Sequence, residues 1–283
     1  MIVWLASYPK SGNTLLRSML SAYFFSKDGL SDFDLIKNIK QFPAIELFEN
    51  MGIDVKKEEE VIKNYINVQA FYNKKNSVQF LKTHSYLFNI KNHGFTDLNN
   101  SLGSIYIVRD PRNVVTSLAN FKNISPEEAC DNMIKSYRIP GDLSLKSGSE
   151  RTTVYIGTWA LNFNSWKSFK FQDRYLLVKY EDLINQKEKT FIKILHFIFR
   201  LKKKIPHINL NKIKNIISST SFSKMKKKEQ EEGFYESSTE KTKKKTSFFN
   251  LGPHNDWKNL LEPKLIRRIE KAFEKEMKEL GYL

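Results

Sequence analysis

Cysteine is nearly absent from this sequence. Cys130 stands alone among 283 residues, which excludes an internal disulfide framework and a zinc site built on cysteine thiolates. The expectation is a reducing compartment, the cytoplasm. Long apolar runs are missing as well. No stretch approaches the roughly 20 residues that cross a bilayer, and no basic segment precedes the short apolar start at 2–6. Neither a membrane span nor a signal peptide is expected. Acidic side chains are in deficit, 31 against 47 basic ones, for a formal charge of +16. A chain with that balance attracts anions such as nucleic acid, anionic lipid or phosphorylated ligands. Much of the excess lies in runs at 202–204, 224–228 and 241–245, which points to local patches rather than a uniform coat. The charge alone permits a polyanion-binding protein. No recognition-helix signature and no aromatic RNA-binding motif accompany it, so no specific nucleic-acid partner is expected. There is no internal repeat and no separate linker.

What is present reads as strands alternating with helices. Apolar runs at 2–6, 78–83, 104–108 and 174–180 have the continuous character of strands buried on both faces. Helical spacing of Leu15, Leu16, Met19, Leu20 and Tyr23 predicts a helix over 13–25. Patchy helices are expected at 33–41, 43–50 and 57–72, and another begins at Asn113. Ser125-Pro126-Glu127-Glu128 combines an N-cap serine, a first-turn proline and a capping-box glutamate, so a helix should run from there to about Arg138. Loop follows over 139–157. Further helices are expected at 159–171, 188–200 and 209–219. Residues 223–256 are polar, Lys-rich and without period, and read as a mobile loop. A last helix opens at Pro263 and stops near Gly281. The alternation predicts a single α/β domain with a central, mainly parallel sheet flanked by helices. Ligands in such sheets bind at the carboxyl ends of the strands.

Three strand ends carry chemistry. The first is SYPKSGNTLLR, 7–17. A loop entering a helix N-terminus offers unpaired N–H groups and the positive end of the helix dipole. Gly12 permits backbone shapes other residues resist. Ser11, Asn13 and Thr14 add donors and Lys10 adds a charge, which together make a P-loop-like cradle for phosphate or sulfate. It is not a Walker A sequence, because the lysine precedes the glycine. No aspartate ends a later strand where it would hold a metal, so a P-loop kinase is the weaker reading. The second end is IYIVRDPRNVVTSL, 105–118. It places Arg109 at the close of a buried strand and Ser117 on the following helix, a guanidinium and a hydroxyl suited to one phosphate. The third is LKTH, 81–84. Lys82 and His84 share a face, and histidine can take a proton from an attacking hydroxyl near neutral pH.

Taken together and in order, these stretches resemble the soluble, cytosolic-type sulfotransferases that use 3′-phosphoadenosine 5′-phosphosulfate (PAPS). YPKSGNT resembles their 5′-phosphosulfate loop, IVRDPRNVVTS their 3′-phosphate motif, and KTH the strand end with the catalytic histidine. LLVKYEDL (176–183) resembles the tyrosine-bearing strand end, and TSFSKM (220–225) a segment that packs on adenine. GTWALNFNSW (157–166) has the Trp-bearing helix start, and FFNLGPHNDWKN (248–259) resembles the C-terminal Arg-Lys-Gly loop. The resemblance implies a nucleotide-binding transferase with PAPS as sulfuryl donor, no metal, and a small-molecule, lipid or saccharide acceptor bearing a hydroxyl or amine. It implies one domain over 1–283 with a mobile Lys-rich lid at about 223–256, as monomer or homodimer.

By position, Lys10, Ser11, Gly12, Asn13 and Thr14 would hold the 5′-phosphosulfate, and Arg109 and Ser117 the 3′-phosphate. Tyr180, Thr220, Phe222 and Met225 would surround the adenine. His84 would be the base, with Lys10 and Lys82 neutralising charge on the transferring group. Asn250, Leu251 and Gly252 stand where Arg-Lys-Gly usually grips the 3′-phosphate. Leu15 replaces a tryptophan that stacks on adenine in many members, and Asn255 replaces a glycine. The missing charge is expected from Lys243, Lys244 or Lys245, or from the 226–228 run, as part of a closing lid. The altered loop also admits a pseudoenzyme or simple nucleotide-binding protein. The acceptor pocket is expected along 26–77 and 139–157, where aromatic side chains could stack on a sugar or phenol or form core.

Overall fold

The period-2 burial of one strand organises the molecule. In β1 (Ile2–Ser7) every residue is buried. Ile2, Trp4 and Ala6 face one hydrophobic core, while Val3 and Leu5 face another. A strand with two dry faces belongs at the centre of a covered sheet. The computed structural model describes residues 1–74, 78–141, 152–237 and 247–283. Its other strands are β2 (Lys40–Gln41), β3 (Gln79–Thr83), β4 (Asn89–Ile90), β5 (His93–Gly94), β6 (Ser101–Val108), β7 (Tyr137–Ile139), β8 (Val154–Gly157) and β9 (Tyr175–Lys179). The main sheet has the order β2-β3-β1-β6-β9, and each of its pairs is parallel. This is the α/β architecture the sequence predicts. Among the described residues no helix is long and apolar enough to cross a membrane.

Aromatic packing dominates the first core. Trp4 lies 5.2 Å from Phe95, 5.5 Å from Phe42 and 6.1 Å from Trp166, centroid to centroid. Its indole N–H donates to Ser101 Oγ at 2.7 Å, so the buried polar tip has a partner. Phe42 and Phe48 are therefore core residues, whereas Phe71 is 45% exposed. The second core seats the Asn13–Phe25 and Lys187–Leu201 helices against Ile105, Ile107 and Val178.

Several boundaries depart from the sequence pattern. The helix expected over 33–41 is confined to Phe33–Ile36, because Lys40 and Gln41 pair with Leu81 and Lys82 instead. The one at 57–72 breaks at Asn64, whose φ and ψ are −101° and 6°. The helix after Ser125 stops at Ile134, since Tyr137–Ile139 forms an antiparallel ladder with Val154–Gly157, inside and beside the stretch read as loop. The helix over 159–171 is α-helical to Trp166 and then tightens to 3₁₀. The final helix is broken at Phe273. The reading of 223–256 as loop is corrected over Phe222–Glu232, which is helical. Its buried positions are Met225 and Glu229, and a glutamate in a core position hides the apolar repeat.

Candidate active site

Because the main sheet is parallel, the carboxyl ends of its strands share one edge. β1 runs into the loop carrying Lys10 and Gly12, β3 is followed by His84, β6 by Arg109 and β9 by Tyr180. The structure thus brings the three predicted strand-end clusters together.

The first loop is shaped by two left-handed residues, Lys10 (φ 65°) and Gly12 (φ 101°). Gly12 is the N-cap of the Asn13–Phe25 helix and provides no side-chain cap. A Cβ placed on it would lie 2.4 Å from Tyr180 Cδ2, so only glycine fits beneath that ring. Asn13 fastens the loop to its own strand, donating to Leu5 O at 2.9 Å and Ser7 Oγ at 3.1 Å. Arg109 reaches back with Nη1 to Lys10 O at 3.1 Å, and its guanidinium lies 4.2 Å from the Tyr180 ring centroid. Among the described residues, Ser11 Oγ and Arg109 Nε are buried with no hydrogen-bond partner. Buried polar groups are nearly always bonded. Two unspent donors beside a helix N-terminus fit the oxygens of a phosphate.

Lys10 points its ammonium between two rings, 3.9 Å from the Phe248 centroid and 4.2 Å from that of Phe121. Burial pulls its pKa down to about 7, against the raising effect of Glu236 and with help from Arg109 and Lys82.

His84 is held from both sides. Its backbone carbonyl accepts from Asn162 Nδ2 at 2.8 Å, and Asn162 Oδ1 in turn accepts from Tyr106 OH at 2.8 Å. Its Nδ1 lies 2.8 Å from Ser7 O and 3.2 Å from Ser7 Oγ. A carbonyl only accepts, so Nδ1 carries the proton and Nε2 keeps its lone pair. Burial and then the neighbouring Lys82 charge push the imidazole pKa down to about 3. The ring is neutral at physiological pH. Lys82 itself is buried and bonds Glu236 Oε1 at 3.1 Å.

A family model for the sulfotransferase domain matches residues 2–281. The chain belongs to that family. It is similar to human Sulfotransferase 1E1, 26% identical over 97% of this chain and 83% of the relative. It is also similar to Flavonol 3-sulfotransferase from Flaveria bidentis, 24% identical over 99% of this chain and 82% of the relative. Its fold is similar to that of mouse sulfotransferase SULT7A1 complexed with PAP, with a TM-score of 0.58 at 22% identity over 97% and 83% of the two chains.

The remaining candidate residues of this family member occupy varied surroundings. Ser117 stands half-buried on the Pro111–Lys122 helix. Thr220 caps the Leu210–Ser219 helix and donates its hydroxyl to Ile216 O at 2.7 Å. Phe222 presses its ring onto Gly252. Met225 packs with Phe33, Ile36 and Phe234 in a small core of its own, and Leu15 lies against the second main core. Thr14 donates to Glu236 Oε2 at 3.0 Å. Asn255 accepts from Thr116 Oγ1 at 2.6 Å and donates to Asn113 O at 2.9 Å. The residue that departs from the family glycine thus ties the C-terminal loop to the helix after Arg109. Arg112 reinforces that tie. It lies over Trp257 and pairs with Asp110 and Glu270.

Lys243, Lys244 and Lys245 lie outside the described residues. Within the 226–228 run, Lys228 is paired with Asp32 and Lys227 with Glu231. Lys226 differs, donating to Asn250 O at 3.1 Å, which sets a cation at the loop that lacks Arg-Lys-Gly. Lys226→Ala should weaken PAP binding by about fivefold, a loss of about 1 kcal/mol. Calorimetric titration checks it, and an unchanged dissociation constant would remove Lys226 from the clamp.

Sequence reasoning missed Ser7, Arg17, Glu229 and Glu236. Arg17 had a signal: a guanidinium within the apolar run LLRSML, on a helix buried nearly all round, requires a carboxylate somewhere. The glutamates had none, because each sits in a polar stretch without period.

Proposed function

We propose that this protein moves the sulfuryl group of PAPS to a hydroxyl or amine of its acceptor by in-line displacement, with His84 as base. The single observation that carries the reading is the imidazole. Its Nδ1–H is committed to Ser7 O, so Nε2 is left with a lone pair able to accept a proton, beside the loop that offers helix N-terminal amides and buried donors without a partner among the described residues.

The residues divide the work as their chemistry allows. The Lys10–Thr14 loop would bind the 5′ end of the donor and Arg109, with Ser117, the 3′-phosphate. Holding both ends fixes the donor against the acceptor, which supplies rate by alignment. His84 Nε2 would take the acceptor proton as the oxygen–sulfur bond forms and the bond from sulfur to the 5′-phosphate oxygen breaks. Lys82 and Lys10 would offset charge on the equatorial and leaving oxygens, as cations do in phosphoryl transfer. None of these roles uses a metal.

Calorimetric titration with PAP and turnover of labelled PAPS across phenol, alcohol, amine and saccharide acceptors test the proposal. No affinity for PAP would sink it.

Lys10 gives the binding a pH signature. Its pKa is near 7 in the free protein, and an anion beside it must raise that value. Binding then takes up a proton above pH 7, and PAP affinity falls as the pH rises from 7 to 9. Titration in buffers of different ionisation enthalpy measures the uptake. A pH-independent affinity that Lys10→Met leaves unaltered would show that Lys10 does not contact the anion.

A further inference from the structure

One carboxylate occupies the meeting point of the cradle and the catalytic strand. Glu236 Oε1 accepts from Arg17 Nη1 at 2.5 Å and from Lys82 Nζ at 3.1 Å, and Oε2 accepts from Thr14 Oγ1 at 3.0 Å. Its side chain is only 15% exposed. Burial opposes ionisation, yet Arg17 and then Lys82 hold the carboxyl below the usual range, so it is charged.

The carboxylate is anchored by Arg17 on the same oxygen, Oε1, that holds Lys82. The Phe222–Glu232 helix ends at Gly233, whose left-handed φ of 78° turns the chain back over the cradle. Arg17, 2% exposed, then fixes the returning segment. Its Nη2 donates to Tyr235 OH at 3.0 Å and to the carbonyls of Ile39 at 3.1 Å and Ile36 at 3.4 Å. A guanidinium pinned by backbone carbonyls cannot follow a departing partner. Moving Glu236 away would leave it a buried charge without its counterion, a costly state.

We infer that Glu236 is a positioning residue for sulfuryl transfer, holding Lys82 at a fixed distance from Thr14 across the gap between the phosphosulfate loop and the strand that bears His84. The inference rests on the proposed reaction and extends it. Arg17 and Glu236 form a rigid post, and the Lys82 ammonium is steadied on it. A flexible lysine is a poor electrostatic catalyst until something restricts it, because alignment of charge with the developing transition state is what raises kcat. The role differs from that of a displaceable plug. A plug would compete with the donor and weaken its binding. A post stays in place when the donor binds, so the donor meets the backbone N–H groups of the loop rather than the Thr14 hydroxyl already given to Glu236, and the post governs the chemical step.

The test needs no knowledge of the acceptor, because water can serve. Hydrolysis of labelled PAPS forms a bond from water oxygen to sulfur and breaks the bond from sulfur to the 5′-phosphate oxygen. The electron pair leaves with PAP, and the water proton passes to His84. Glu236→Gln should lower the rate at saturating PAPS by about 10- to 100-fold, while the PAP dissociation constant moves by less than about threefold. Glu236→Asp, which keeps the charge, should recover part of the rate. Arg17→Met with Glu236→Leu removes both buried charges together, so no orphan charge threatens folding, and it should show the same rate loss. The inference is overturned if either charge-removing protein turns over at the wild-type rate, or if removing the carboxylate tightens PAP binding. Wild-type protein is measured first. Failure to bind PAP there sinks the sulfuryl-transfer reading and this inference with it, whereas a normal wild type with a normal Glu236→Gln sinks the positioning role alone.

Discussion

His84→Ala is expected to cut sulfuryl transfer by about 10²- to 10⁴-fold, the contribution of a well-placed general base. PAP affinity should be nearly unchanged, because the imidazole bonds Ser7 and not the loop that would hold phosphate. The pH profile sharpens the expectation. Burial, with Lys82 beside it, depresses the free imidazole to about 3. The His84 limb of kcat/KM, which reports the free enzyme, should therefore lie far below 6.5, and activity should hold as the pH falls from 8 to 5. The corresponding limb of kcat should sit higher, since a bound polyanion favours the imidazolium. Single-turnover rates with labelled PAPS, paired with PAP titration, give both quantities. Retention of most activity in His84→Ala would mean that another group takes the proton.

Arg109→Ala should act in the opposite sense, on binding rather than chemistry. The guanidinium stands at the end of β6 with Nη1 on Lys10 O and, among the described residues, no partner for Nε. It supplies a charged fork, and charge-assisted bonds of this kind contribute about 2–3 kcal/mol, or roughly 30- to 150-fold in affinity. Arg109→Lys should recover only part of that loss, because an ammonium keeps the charge without the planar fork that stacks on Tyr180. Calorimetry with PAP and with adenosine 5′-phosphate separates the 3′ contribution. If both nucleotides lose affinity equally, Arg109 serves the loop and not the 3′-phosphate.

The sheet and the three strand-end motifs are legible in the sequence for a simple reason. A central strand buried on both faces must be apolar throughout, as Ile2–Ala6 and Ile105–Val108 are, and a polar cluster at its end then stands out. Legibility fails where burial is achieved by pairing instead of by apolar side chains. Glu229 occupies a core position of the Phe222–Glu232 helix because Ser237, Ser247 and the N–H groups of Phe248 and Phe249 all donate to it. Glu236 does the same at the cradle. Neither produces a hydrophobic period, so the helix and the post went unread. Short pairings fail for a different cause: two residues, Lys40 and Gln41, form β2 only because β3 presents a free edge. The fold of β7 and β8 likewise depends on partners distant in sequence.

The order of strands carries a last implication. Reading across the edge from β3 through β1 and β6 to β9, one meets His84, then Lys10, then Arg109, then Tyr180. Neighbouring strands are about 4.8 Å apart, so the backbone acts as a graduated ruler about 14 Å long. An elongated nucleotide laid along it would meet proton acceptor, phosphosulfate grip, phosphate grip and ring stack in sequence. The spacing of these marks belongs to the hydrogen-bond ladder itself, which leaves the intervening loops free to diverge in length and composition while the calibration stays the same.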